Sequence, residues 1–148
     1  MKPEVDFLLR SLMEKLLIEV APAIADGYLR SNVEVMAALM AASAEEYDRA
    51  AHVRAEENEA MRRIFRDAAS FVPEVGLRER LEAAAAERDA SLRVGDLNAT
   101  NDRLRTLLIE LHALVETCDE SWARRTNRSI WEELRESANR RSISLWPL

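Results

Sequence analysis

The chain has 148 residues, enough for one domain with a sizeable core, and only 3 Gly, 4 Pro and 5% aromatic residues, so turns and strand formers are too scarce for a sandwich or a barrel. Its net charge is −6 and its pI about 5.1, which opposes binding to DNA or to an anionic membrane surface. One cysteine, Cys118, excludes an intramolecular disulfide.

Charged residues make up 32% of the chain, with Ala, Leu, Glu and Arg prominent, the composition of long amphipathic helices. Only Lys2 and Lys15 among the 21 basic residues are lysine, a codon bias that suits a GC-rich bacterial genome. The charge is uneven. Residues 4–60 carry 12 acids against 5 bases, and residues 119–148 carry 6 Arg against 5 acids.

Pro3 and Glu4 open a first helix whose Val5, Leu8, Leu9, Leu12, Leu16 and Val20 recur at three and four. The N-terminus mixes acids into its apolar run, which is not a signal-peptide layout. No apolar run approaches the ~20 residues of a membrane span. A cytoplasmic protein is expected. Pro22 must kink the first helix or end it near Val20, since it lacks an N–H and crowds the carbonyl four residues back. Asp26-Gly27 is the next breaker.

Ser31-Asn-Val-Glu34 has capping-box spacing and predicts the start of a second helix. Val33, Met36, Leu39, Met40 and Tyr47 would turn inward. No Gly or Pro then appears until Pro73, so residues 32–71 form either one very long helix or two, with a break at Ser43. The middle of this stretch offers Ala50, Ala51, Val53 and Ala60 before Met61, Ile64 and Phe65. The step Phe71-Val-Pro73 is a boundary, because a residue before Pro is pushed out of the α region. Leu77 and Leu81 then lead into an Ala-rich helix. Gly95-Asp96 either ends it or is tolerated, and continuity is favoured because Val94 and Leu97 join the arc of Leu104 and Leu108.

Residues 97–122 hold the strongest signal. At 100° per residue Leu97, Leu104, Leu107, Leu108, Leu111, Leu114, Val115, Cys118 and Trp122 share one broad arc. This is the expected core helix. Ser129-Ile-Trp-Glu132 repeats the capping-box spacing and predicts a last short helix. The expected architecture is all-α: an antiparallel helical bundle with one or two long helices over residues 1–141, and an apolar tail over 142–148.

Motifs that commit to chemistry are missing. There is no Gly-rich phosphate loop, nucleophile elbow, His-Glu-x-x-His or Cys-x-x-Cys. The two histidines give only weak metal candidates. His52 shares a helix face with Asp48 and Glu56, and His112 with Glu116. Neither carries the Glu-x-x-His spacing of a di-iron bundle, because residue 49 is Arg and residue 109 is Ile. His112 is expected to bond to Glu116, and no cofactor is expected. The short Arg groups are interleaved with acids and lack aromatic stacking partners, so no nucleic-acid partner is expected.

Two functions fit. The first is a non-enzymatic helical interaction protein, whether adaptor, chaperone-like binder or self-associating subunit. Its candidate contact residues are Met36, Met40, Tyr47, Val53 and Met61, with Leu145 and Trp146 of the tail, and its expected partner is a protein or a second copy in a homodimer. The alternative is a bundle with a buried small-ligand or metal site, which would include an enzyme and would need His112, Arg105 and Glu116 to face a cavity.

Overall fold

The computed structural model describes residues 4–143, and the chain is all-α, with no strand among these residues. Among the described residues six α-helices follow in order: α1 (Val5–Lys15), α2 (Ala21–Ala23), α3 (Gly27–Ala68), α4 (Val75–Ala86), α5 (Val94–Glu116) and α6 (Ser121–Arg141). The fold divides into two compact units. One comprises described residues up to Ala50 together with Ser142 and Ile143, and the other is Ala51–Arg141. Among the described residues, no helix is long and apolar enough to cross a membrane. The tail residues Leu145 and Trp146 lie outside the described residues.

In the first unit, Pro22 acts as expected but spreads its effect over a turn. After Lys15 the helix widens into a π turn over Leu16–Val20, where the Ala21 N–H reaches back to the Leu16 carbonyl. Widening accommodates a proline that cannot donate to the carbonyl four residues behind it. The chain leaves the helix at Ile24, whose backbone is extended. The α3 helix then begins five residues earlier than the Ser31 capping box predicts. The Asp26 carboxylate accepts the Leu29 N–H at 2.9 Å, so Asp26 is the cap and Ser31 lies inside the helix. The helix runs unbroken for 42 residues, through Ser43.

The second unit is a helical bundle around one core. Met61, Ile64, Phe65 and Ala68 of α3 pack with Leu77 and Leu81 of α4. Leu104, Leu107, Leu108, Leu111 and Val115 of α5 join them, as do Trp122, Ala123 and Ile130 of α6. Phe65, Leu81, Leu97, Leu111 and Ile130 are fully buried. Pro73 marks the turn between α3 and α4, reached through a 3₁₀ turn at Ala69–Phe71.

Two expectations for this unit are corrected. The helix does not continue through Gly95. Residues 87–93 are non-helical, and the break is anchored by Asp89, which accepts Asn58 Nδ2 at 3.1 Å and Arg62 at 2.8 Å. Ser91 and Asp96 bridge the restart at 2.5 Å. The last helix is not short, since α6 begins at Ser121. Its inner face runs Trp122, Thr126, Ile130 and Ser137, and two of those four are small polar residues that hide the stripe from a hydropathy reading.

Candidate functional site

Two features stand out, one in each unit. In the second, a polar cluster lies among apolar helices. Glu57 of α3 is 1% exposed, and Asn58, Arg62, Asn101 and Ser137 are buried with it. Arg141 of α6 binds Glu57 through Nε to Oε1 at 2.7 Å and through a terminal amine to Oε2 at 2.5 Å. Ser137 donates to Oε1 at 2.7 Å, Asn101 donates to Oε2 at 3.2 Å, and Arg105 reaches Oε2 at 3.4 Å. Asn101 donates to Asn58 at 2.9 Å and accepts from Arg105 Nε at 2.8 Å.

Burial alone would raise the Glu57 pKa. The bonds from Arg141 and Ser137 and the charges of Arg141 and Arg105 outweigh it and hold the carboxyl at about 2. At neutral pH Glu57 is therefore ionised with both oxygens occupied. Such a carboxylate cannot take up a proton as a general base at that pH, and here it ties α3, α5 and α6 together. Buried networks of this kind specify one arrangement of helices more than they add stability. Nearby, Glu133 pairs with Arg140, and burial raises its pKa.

Hydropathy alone missed this cluster. Its signal was present: Asn101 falls in register with Leu97, Leu104 and Leu108, and Glu57 with Val53, Ala60 and Met61. A polar residue at a core position needs a partner on another helix, and a single sequence does not say which.

The histidines occupy modest places. His112 is half-buried. Its Nε2 lies 3.0 Å from Asn127 Oδ1 and 3.5 Å from Glu116, and its ring meets Trp131 edge-on at 5.5 Å. His52 is exposed and 3.4 Å from Glu56, and Asp48 is exposed in the first unit. Among the described residues, no group of three His, Cys, Asp or Glu side chains is placed to hold a metal. Cys118 is half-buried against the core. Arg105 joins the Glu57 cluster, so the arrangement of His112, Arg105 and Glu116 around one cavity is not what the contacts show.

The second feature is the apolar surface of the first unit. Its described buried residues are Ala21, Ala37, Ala44 and Ala50. Its large apolar residues are exposed or half-buried. Phe7, Leu8 and Leu12 of α1 and Tyr28, Leu29, Val35, Met36, Leu39 and Tyr47 of α3 are all exposed. Of the contact residues expected from sequence, Met36 and Tyr47 lie on this surface and Met40 at its half-buried edge. Val53 and Met61 do not: they are 5% and 2% exposed, inside the second unit. The Met61 side of α3 is core because α4, α5 and α6 supply apolar partners there.

No protein-family model, curated protein or solved structure matches the chain.

Proposed function

We propose that this chain is a non-enzymatic helical interaction protein, in which the second unit is a self-sufficient scaffold and the first presents an apolar helical face to a protein partner. One observation carries the reading. Among the described residues of the first unit nothing larger than alanine is buried, while six large apolar side chains line the exposed face of α3. A contiguous exposed apolar surface of that kind on a folded protein marks an interaction site. Helix-in-groove and helix-on-helix recognition both use anchors at this three- and four-residue spacing. The occupied Glu57 cluster fits the same reading, as a device that fixes the scaffold. A cytoplasmic setting suits it, since the lone Cys118 stays reduced there.

A photo-reactive phenylalanine analogue in place of Met36 tests the proposal in host cells. The same analogue in place of Arg135, whose side chain is 73% exposed on α6, is the control. Protein adducts are expected at position 36 and not at 135. Absence of adducts at position 36, or equal adducts at both, defeats the reading.

A further inference from the structure

We infer that the occupant of the exposed α3 face is a second copy of this chain, paired with it antiparallel about a two-fold axis that crosses the seam at the level midway between Ala37 and Ala38. This inference rests on the interaction reading above and names its partner.

The argument begins with the order of residues on the face. At 100° per residue Tyr28, Leu29, Asn32, Val35, Met36, Leu39, Met40, Ser43, Glu46 and Tyr47 share one arc of α3. Four of its five pairs read alike in both directions, and the fifth sets Leu29 against Glu46. Tyr28 stands as far from the midpoint as Tyr47, Asn32 as Ser43, Val35 as Met40, and Met36 as Leu39. A two-fold interface is self-complementary: if one residue meets another, the second copy's counterparts meet in turn. An antiparallel pair of α3 helices centred on that midpoint satisfies this at every level. Aromatic meets aromatic at each end, the aliphatic and thioether side chains interleave at the centre, and Asn32 comes level with Ser43. That last pair gives the seam one uncharged hydrogen-bonding level on each side of the axis, the kind of feature that fixes register.

The charges agree. In the same mirror Asp26 is level with Arg49 and Arg30 with Glu45, while Glu34, Glu46 and Asp48 fall level with Ala41, Leu29 and Gly27. These levels put no acid opposite an acid, and most of the charges lie off the arc: Arg30, Glu34, Glu45 and Asp48 fall on the far side of α3, Glu45 is paired with Arg49 at 2.5 Å, and Asp26 caps the helix. A parallel pair would set Glu46, the one acid on the arc, beside its own copy, which is unfavourable, whereas the antiparallel pair sets it level with Leu29. The acids of this half therefore lie mostly outside the antiparallel seam.

The area is adequate as well. Tyr28, Leu29, Val35, Met36, Leu39 and Tyr47 are 54–77% exposed. For residues of their size this leaves roughly 700 Å² per copy, or about 1,400 Å² for the pair, within the 1,200–2,000 Å² of a stable interface.

The test uses the full chain with Cys118→Ala. Light scattering coupled to gel filtration is expected to give about 34 kDa, twice the 16.9 kDa of one chain. Leu39→Arg, at a 62% exposed position, should halve that mass with the helical circular dichroism unchanged. Register is read with Asn32→Cys and Ser43→Cys variants and a bis-maleimide linker shorter than about 10 Å. A mixture of the two variants should crosslink. Ser43→Cys alone should not, since its copies would sit 11 residues apart along the seam, about 16 Å at 1.5 Å per residue. Self-linking of Ser43→Cys, or a Leu39→Arg mass that stays near twice the chain's, overturns the inference. So does a wild type that runs as a single chain at a hundred micromolar or so. If that monomer still forms adducts from position 36, the interaction reading survives and only the second copy is lost. If it forms none, both fall.

Discussion

The two units are made from similar helices and put them to opposite uses. The second buries Phe65, Leu81, Leu97, Leu111 and Ile130 completely, while the first, among its described residues, buries only alanines and leaves Tyr28, Val35, Met36 and Leu39 in solvent. The α3 helix contributes to both. A stripe of Val, Met, Leu and Tyr along a helix is thus not itself a core. It becomes one where other elements supply complementary apolar faces, as α4, α5 and α6 do for Met61, Ile64 and Phe65. Where they do not, the same stripe stays in solvent, as it does at Val35, Met36 and Leu39.

The sharpest way to break this contrast is to truncate one leucine in each unit. Leu111 is 0% exposed and Leu39 is 62% exposed. Leu111→Ala should cost about 2–5 kcal/mol in urea unfolding followed by tryptophan fluorescence. Leu39→Ala, measured at concentrations where any association is absent, should stay within roughly half a kcal/mol. Equal costs at the two sites would mean the first unit has a core of its own, and the contrast would be gone.

Glu57 gives the next effect, through pH. Its carboxyl is held at about 2 against an ordinary 4.5. A depressed carboxylate contributes stability that is complete above about pH 4.5 and is lost as pH falls toward 2, because the unfolded chain then binds the extra proton. The loss should approach about 3 kcal/mol over that window. Glu57→Gln should flatten this acid limb while lowering stability at pH 7. Glu133 works in the opposite sense, since a raised pKa lets the folded state take up its proton first and gain relative stability as pH falls. A wild-type acid limb that survives unchanged in Glu57→Gln would assign it to other carboxylates and remove Glu57 as the tie between α3, α5 and α6.

How much of this could be read from sequence follows the same division. The all-α class and the α5 core helix were plain, because Leu97, Leu104, Leu108, Leu111 and Val115 repeat cleanly and their burial needs only a generic apolar neighbour. Pro22 and Pro73 were readable because proline acts through its own covalent geometry. Features that depend on a partner distant in sequence were not. The break at residues 87–93 is anchored by Asp89 reaching Asn58 and Arg62, and the early start of α6 by Trp122 packing into the core with its ring stacked 6.2 Å from Phe71. Val53 and Met61 resemble Met36 and Tyr47 in residue type, so type alone placed all four on one interaction surface. What separates them is burial, which for Met61 comes from the apolar faces of α4, α5 and α6.

The smallest expected effect is at His112, and it sharpens the comparison by asking whether the second unit is a scaffold alone. His112 is half-buried, with Asn127 and Glu116 as polar neighbours and Trp131 against its ring edge. Glutamine has about the same reach and both a donor and an acceptor, so it can keep the bond to Asn127 while giving up the ring contact. An aromatic pair is worth about 0.5–1.5 kcal/mol beyond its area. Trp131 is 57% exposed, which places this pair at the low end of that range. His112→Gln should therefore lower stability by about half a kcal/mol and leave the mass and the crosslinks from position 36 unchanged. Elemental analysis of the purified wild type and the variant provides the second reading. Stoichiometric zinc, iron or manganese present in the first and absent in the second would give the unit a ligand-binding role, with His112 as a metal ligand.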